Sequence, residues 1–204
     1  MRPAIDTQFY APRLPISIIA LPNDFEARGM REILEMFFNC VVTIHWIGTP
    51  MDFLKVLSQG ETAPRYLLIT GHGDEEKGYY LGEYIEEIDT SMLRDRHMPA
   101  EVIAPMVNLP GCTVISTTCG GGAQPMGEAF VQNGKIEAYI ACRGYPHGTD
   151  MPIFLVNFFF YALRKNLSDR DAWKKAMLVV DNAAIYQMTI YHGDGTIERY
   201  ETEA

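Results

Sequence analysis

The segment RYLLITGHGDEEKG, at residues 65–78, gives the clearest indication of the fold. It begins as an apolar run, which is typical of a buried strand, and leads directly into a glycine-flanked loop that carries His72. A second stretch of the same design, TVISTTCGGGA at residues 113–123, leads from an apolar strand into a glycine-rich loop that carries Cys119. We therefore expect two strands whose ends carry functional loops.

Apolar strands and amphipathic helices alternate on both sides of these stretches. Further strands are predicted at 15–21, 41–47 and 136–142, and helices at 24–38, 51–59, 99–108, 124–133, 150–165 and 168–182. The tail, MTIYHGDGTIERY, alternates around a Gly-Asp-Gly turn and predicts a terminal hairpin. Because strands separated by helices imply right-handed crossovers, the sequence predicts an α/β fold with a mostly parallel central sheet and helices on both faces.

Length and composition indicate one globular domain that spans residues 1–204. A chain of 204 residues suits a single core, and its content of 48% hydrophobic and 21% charged residues is close to that of ordinary soluble proteins. The formal net charge is −9, and the sequence contains no cluster of Lys or Arg residues. We therefore expect no nucleic-acid partner.

The sequence predicts no membrane span, export signal or metal site. The most apolar stretch, residues 151–163, is too short to cross a bilayer, and prolines and an aspartate interrupt the N-terminal region where a secretory peptide needs an apolar core. The four cysteines form no CxxC pair and lack histidines at zinc spacing. We expect no metal and no other cofactor, and free thiols in a cytoplasm fit best.

His72 and Cys119 are the candidate catalytic pair. If their strands are neighbours, both side chains emerge at the carboxyl edge of the sheet, where such folds gather their chemistry. An imidazole near a thiol can hold or remove its proton, and the thiolate is the attacking species. The glycines that follow both residues leave space for backbone N–H groups to stabilise an oxyanion, and the candidate donors are the N–H groups of Gly73 and Cys119.

The two stretches together resemble the caspase-like cysteine peptidases of clan CD, in which a strand ending in His-Gly precedes, by roughly fifty residues, a strand ending in Cys with glycine beyond it. The pattern is closest to the bacterial CHAT domains and covers residues 65–177. The resemblance implies a caspase-like three-layer sandwich, a His72–Cys119 dyad and hydrolysis of peptide bonds through a thioester acyl-enzyme. A peptide or protein is then the expected substrate, and a regulatory protein or a second copy of the chain is a further candidate partner.

Three residues are candidates for substrate binding. Many relatives carry an acidic residue or glutamine two positions before the nucleophile, but this chain has Thr117 there, so their substrate preference cannot be carried over. Asp150 could pair with a basic side chain in a pocket, and its alternative role is to cap the helix that follows. Arg143 is a candidate for the wall of the cleft.

A second cysteine competes for the role of nucleophile. The segment IACRG at 140–144 superficially matches the caspase nucleophile signature, with Ile140 in place of its glutamine. The long helix predicted after it resembles a later segment of the relatives, so we expect Cys142 to be a strand or pocket residue. The acidic run at 74–76 is interpreted as a solvated loop, with a recognition surface for basic peptides as its alternative.

Two other functions remain open. A cysteine amidohydrolase of the glutaminase type also places its nucleophile on a strand-to-helix turn, but its usual order is Cys before His, and Thr117 replaces the leading glycine of its nucleophile elbow. The other alternative is a catalytically silent binding or regulatory module with the same fold. The presence of both His72 and Cys119 argues against the silent module.

Overall fold

The structure is a computed structural model that describes residues 13–133, 135–179 and 187–200. The strands of this part are β1 (Leu14–Ala20), β2 (Cys40–Trp46), β3 (Tyr66–Thr70), β4 (Gly73–Asp74), β5 (Gly78–Tyr80), β6 (His97–Met98), β7 (Thr113–Ser116), β8 (Ala138–Cys142), β9 (Met188–His192) and β10 (Ile197–Arg199). Its α-helices are α1 (Ala27–Phe37), α2 (Pro50–Leu57), α3 (Ala100–Ile103), α4 (Gln124–Val131), α5 (Asp150–Phe159) and α6 (Asp169–Met177).

Seven strands form one sheet in the order β10-β9-β8-β7-β3-β1-β2. Strands β1, β2, β3, β7 and β8 pair in parallel, whereas β9 and β10 run antiparallel at one edge. The prediction of an α/β fold with a mostly parallel sheet is confirmed. The predicted terminal hairpin is present as β9 and β10.

Helices cover both faces of this sheet. Side chains of neighbouring strand residues point to opposite faces, so each strand packs against helices on both sides. Ile18 packs with the apolar residues of α1, α5 and α6, whereas Ile19 packs with those of α2, α3 and α4. Both isoleucines are fully buried, and burial of such a side chain is worth roughly 1.5–3 kcal/mol. The result is a sandwich of three layers, with a separate apolar core on each side of the sheet.

A buried carboxylate joins the sheet to α6. Asp169 accepts hydrogen bonds from Arg65 Nη2 at 2.7 Å, Tyr66 OH at 2.7 Å and Thr113 Oγ1 at 2.5 Å. The three donors lie at the start of β3 and β7, and Asp169 is only 9% exposed. This network holds together the two strands that lead to the candidate catalytic loops.

Several element boundaries differ from the prediction. The helix predicted at 99–108 is a short α-helix, Ala100–Ile103, followed by a 3₁₀ turn, Ala104–Met106, that contains a proline. Helix α5 continues into a π-helical turn, Phe160–Arg164. The helix predicted at 168–182 is α6, which ends earlier, at Met177, and positions 180–182 lie outside the described residues. In the part of the chain that the structure describes, no helix combines the length and apolar character required to cross a bilayer.

Candidate active site

The carboxyl ends of β3 and β7 lie side by side. Ile69 is in register with Ser116, and the Thr117 N–H extends the pairing by donating to Ile69 O at 2.9 Å. His72 follows the end of β3 and Cys119 follows the end of β7. The two predicted catalytic residues are therefore carried by adjacent loops at one edge of the sheet.

These loops pack against each other through their backbones. A Cβ atom added at Gly73 would lie 2.7 Å from Cys119 O, and one added at Gly120 would lie 2.4 Å from Glu75 N. Gly120 also has a φ of 64°, a left-handed conformation that glycine adopts without strain. Glycine at both positions thus allows the His72 loop and the Cys119 loop to come into contact.

Cys119 differs from the other cysteines in its exposure. It is half-buried, whereas Cys40, Cys112 and Cys142 are buried. Burial raises the pKa of the Cys119 thiol, its own backbone N–H lowers the pKa, and the charge of nearby Glu26 raises it further. Because the net shift is upward, the thiol is protonated near neutral pH in the free protein and requires a base to become a nucleophile.

The His72 side chain is exposed at the rim of the site. Its carbonyl oxygen accepts a hydrogen bond from Tyr80 N–H at 3.1 Å, which fixes the backbone of the loop. Among the described residues, no hydrogen bond joins the imidazole to the Cys119 thiol. Catalytic hydrogen bonds are often long or badly aligned before substrate binds.

Hydrogen bonds within the glycine loops determine which backbone N–H groups are available as donors. Gly73 stands opposite Tyr79 in the antiparallel β4–β5 pair, directly after the bonded His72–Tyr80 pair, so alternation directs its N–H away from β5. Gly120 N–H is already used, since it donates to Gly144 O at 2.9 Å. The arrangement is therefore compatible with the predicted oxyanion donors, the N–H groups of Gly73 and Cys119.

Two buried tyrosines hold the backbone after Cys119. Tyr139 OH donates to Gly121 O at 2.6 Å, and Tyr191 OH donates to Gly122 O at 2.9 Å. Gly122 N–H in turn donates to Cys142 O at 2.7 Å. These bonds orient the glycine loop from below, so the position of Cys119 depends on β8 and β9 as well as on β7.

A carboxyl group from another strand connection reaches the site and was not predicted. Glu26 lies between β1 and α1, and its Oε2 accepts a hydrogen bond from Thr117 Oγ1 at 2.8 Å. Asp24 caps the start of α1 by accepting from the backbone N–H groups of Glu26 at 2.9 Å and Ala27 at 3.0 Å. Since β1 is parallel to β3, the connection that follows β1 lies at the same edge of the sheet as the His72 loop, but no sequence motif marks Glu26.

The three predicted substrate-binding residues occupy different positions. Thr117 is buried, and its hydroxyl is engaged with Glu26. Arg143 directly follows β8, and its Nε is buried without a hydrogen-bond partner. Asp150 is the first residue of α5, where a negative charge is favoured by the helix dipole, so its placement suits the alternative helix-end role.

Cys142 is the last residue of β8 and is fully buried. Burial raises its pKa to about 11. This environment agrees with the interpretation of Cys142 as a strand residue, because an inaccessible, protonated thiol is a poor nucleophile.

The acidic run after His72 forms a turn beside the site. Asp74 Oδ1 accepts hydrogen bonds from the backbone N–H groups of Glu76 at 2.9 Å and Lys77 at 3.0 Å, and these bonds lower the pKa of Asp74. Glu75 and Glu76 are exposed, as expected for a solvated loop. Within the described ranges, no three His, Cys, Asp or Glu side chains come together to hold a metal ion.

Comparison with known proteins adds no family assignment. No protein-family model matches this chain, and no curated protein matches it significantly.

Proposed function

We propose that this chain is a caspase-like cysteine endopeptidase in which Cys119 is the nucleophile and His72 transfers protons. The observation that supports this proposal best is the contact between the two loops, in which a Cβ at Gly73 would lie only 2.7 Å from Cys119 O. The order of residues along the chain would not by itself bring a base and a nucleophile together. Here each lies on its own strand end, and the two strands are neighbours.

The proposed reaction has two stages. His72 takes the proton of the Cys119 thiol, and the thiolate sulfur attacks the carbonyl carbon of the substrate peptide bond. His72 then gives this proton to the leaving nitrogen as the C–N bond breaks, which leaves a thioester on Cys119 and releases an amine. In the second stage His72 takes a proton from water, hydroxide attacks the thioester, and the proton returns to the sulfur as the carboxylic acid departs.

The backbone stabilises the negative oxygen that forms in both stages. The N–H groups of Gly73 and Cys119 are the donors in this proposal, because Gly120 N–H is occupied by Gly144 O. Removal of a single oxyanion donor typically costs a factor of about 10² to 10³ in rate. A peptide or protein is therefore the proposed substrate, and the reaction requires no cofactor.

A silent binding module is the second candidate. Its support is the raised pKa of Cys119 and the missing hydrogen bond between this thiol and the His72 imidazole.

A cytoplasmic location also belongs to the proposal, and its support is the set of four free thiols within the described residues.

A positional scanning library of fluorogenic peptides tests the proposal. The wild-type chain should cleave a subset of the peptides, whereas His72→Ala and Cys119→Ala should each reduce the rate by about 10³-fold or more. Cys142→Ala is the matched control for loss of a thiol. If no peptide is cleaved and no peptidyl thiol probe labels Cys119, the silent module is correct. Release of ammonia from glutamine that requires Cys119 but not His72 would instead support the glutaminase type.

A further inference from the structure

A pair of buried tyrosines joins the two candidate catalytic loops. Tyr79 lies in β5, the strand that returns from the His72 loop, and Tyr139 lies in β8. Their hydroxyl oxygens are 2.7 Å apart, and Tyr139 OH also lies 2.6 Å from Gly121 O, in the loop after Cys119. Side chains inside the protein therefore connect the two loops, in addition to the contact between their backbones.

The hydrogen bonds of this pair run in one direction. A tyrosine hydroxyl carries one hydrogen, and Tyr139 donates its hydrogen to Gly121 O. The hydrogen between the two hydroxyls must then come from Tyr79, so Tyr79 donates to Tyr139. The chain of bonds begins in the His72 loop and ends on the Cys119 loop, and each bond in such a chain polarises and strengthens the next.

The two hydroxyls lie in apolar surroundings. Both tyrosines are fully buried in the core that α2, α3 and α4 share with the sheet. The Phe130 ring stacks on Tyr139 with centroids 4.3 Å apart and meets the edge of Tyr79 at 6.4 Å. Phenylalanine at both positions would keep these ring contacts, so the hydroxyls add little to packing. A buried, fully bonded network instead specifies one arrangement of the backbone that it contacts.

A second pair of hydroxyls extends the network to the residue before the candidate nucleophile. Ser116 forms side-chain hydrogen bonds with both tyrosines, and its Oγ lies 2.9 Å from Thr118 Oγ1. A Cβ atom added at Gly73 would lie 3.0 Å from Thr118 Oγ1, and one added at Gly121 would lie 2.7 Å from it. The Thr118 hydroxyl is therefore enclosed between the backbones of the two loops.

We propose that Tyr79 is a positioning residue of the peptidase, whose hydroxyl acts through Tyr139 to fix the Cys119 loop relative to the His72 loop. This inference rests on the proposed endopeptidase function. Tyr79 is buried and acts only through the geometry of the groups that react. Such an effect is large enough to measure, because a misplacement of about 1 Å in an active site can cost about 100-fold in rate.

The test measures kcat and KM for the best peptide reporter with Tyr79→Phe and Tyr139→Phe. We expect Tyr79→Phe to reduce kcat by about 10- to 100-fold, with KM within about threefold of wild type, because positioning affects the transition state more than binding. Tyr139→Phe should reduce kcat at least as much, since Gly121 O then loses its donor. The double variant should be no slower than Tyr139→Phe, because both hydroxyls act on the loop through one bond.

Tyr66→Phe is the matched control for loss of a buried hydroxyl. Tyr66 is buried, and its OH donates to Asp169 at 2.7 Å at the opposite end of β3. This variant should lose a similar amount of stability in denaturant unfolding and keep the wild-type kcat. An equal loss of kcat in Tyr66→Phe would overturn the inference, because general destabilisation would then explain the effect of Tyr79→Phe.

Hydrogen exchange measures the same coupling without a substrate. The N–H groups of Gly120 and Gly122 donate to Gly144 O and Cys142 O, and both lie outside the segment that carries Tyr79. In Tyr79→Phe these two amides should exchange several-fold faster than in the wild-type chain. In Tyr66→Phe their exchange should stay at the wild-type rate.

The two measurements distinguish failure of this inference from failure of the proposed function. Faster exchange in Tyr79→Phe, in a protein whose wild-type chain cleaves no peptide, would reject the peptidase and retain the coupling between the loops. Cleavage by Tyr79→Phe at the wild-type kcat would reject the positioning role and retain the peptidase. Absence of cleavage by the wild-type chain, together with unchanged exchange in Tyr79→Phe, would reject both.

Discussion

Thr117 Oγ1 donates a 2.8 Å hydrogen bond to Glu26 Oε2, joining the residue two positions before the candidate nucleophile to a connection 91 positions earlier in the chain. This bond brings a third strand, β1, into a site that otherwise belongs to the loops after β3 and β7. It also gives Thr117 a role that differs from direct contact with substrate. The Thr117 hydroxyl holds the Glu26 carboxyl group at this edge of the sheet.

Replacement of Glu26 by glutamine should stabilise the fold at neutral pH. The pKa of Glu26 is raised in the folded protein, mainly by burial, so folding favours the uncharged group that glutamine imitates. The stabilising contribution of the protonated group is complete below the unfolded pKa, about 4.3, and is lost as pH rises through the folded one. Urea midpoints should therefore be higher for the variant at pH 7 and should converge with those of the wild-type chain near pH 3. A variant that is less stable at pH 7 would contradict this account.

Thiol reagents should discriminate strongly among the four cysteines. Burial raises the pKa of Cys40 to about 11, that of Cys112 to about 12 and that of Cys142 to about 11, and all three side chains are buried. Cys119 is the accessible thiol. Iodoacetamide should label Cys119 first in the native protein, as measured by peptide mapping, and Cys119→Ala should lose the fast phase. Equal labelling of Cys142 would contradict the assignment of the nucleophile.

Replacing a glycine by alanine should have opposite effects on stability in helices α1 and α4. In α4, a Cβ at Gly127 would lie 2.2 Å from the Tyr191 ring, whereas in α1 a Cβ at Gly29 would meet no atom within 4 Å. Gly29→Ala should therefore stabilise the protein by up to about 1 kcal/mol through helix propensity. Gly127→Ala should destabilise it by about 1–3 kcal/mol through overpacking, and peptidase activity should fall because Tyr191 anchors Gly122. Denaturant unfolding measures both, and equal shifts would refute the packing argument.

Loss of the Asp169 carboxylate should destabilise the fold severely. Asp169→Ala leaves the hydroxyls of Tyr66 and Thr113 buried without their acceptor and removes the partner of Arg65, so we expect a loss of about 3–5 kcal/mol. Tyr66→Phe removes a single donor and should cost about 1 kcal/mol. Chemical denaturation of both variants measures the two losses in the free energy of unfolding. Similar small effects in the two would show that the network contributes little.

The central sheet could be predicted because its parallel strands are buried on both faces and therefore appear as continuous apolar runs, as in YLLIT at 66–70. The small sheet of β4, β5 and β6 could not be predicted from periodicity, since strands of two or three residues are too short to show a period. The 3₁₀ turn after α3 was also missed, because a proline-containing helix end has no distinct pattern.

The candidate site was predictable only where its residues follow the strands that carry its motifs. His72 and Cys119 stand next to glycines at the ends of apolar runs, so their placement followed from chain order. Glu26 has no such motif, and its relation to Thr117 depends on the order β7-β3-β1 in the folded sheet. Asp150 was predicted as a pocket residue, but an aspartate is equally suited to the first position of a helix. Sequence alone could not distinguish the two roles.

A double-mutant cycle for peptide hydrolysis tests whether His72 and Cys119 act as a catalytic dyad. Cleavage of the best reporter should be measured for the wild-type chain, His72→Ala, Cys119→Ala and the double variant. If the imidazole and the thiol act as one catalytic unit, each single change should reduce kcat by about 10³-fold or more, and the double variant should be no slower than Cys119→Ala. A His72→Ala variant that retains most of the wild-type rate, or losses that multiply in the double variant, would contradict the dyad.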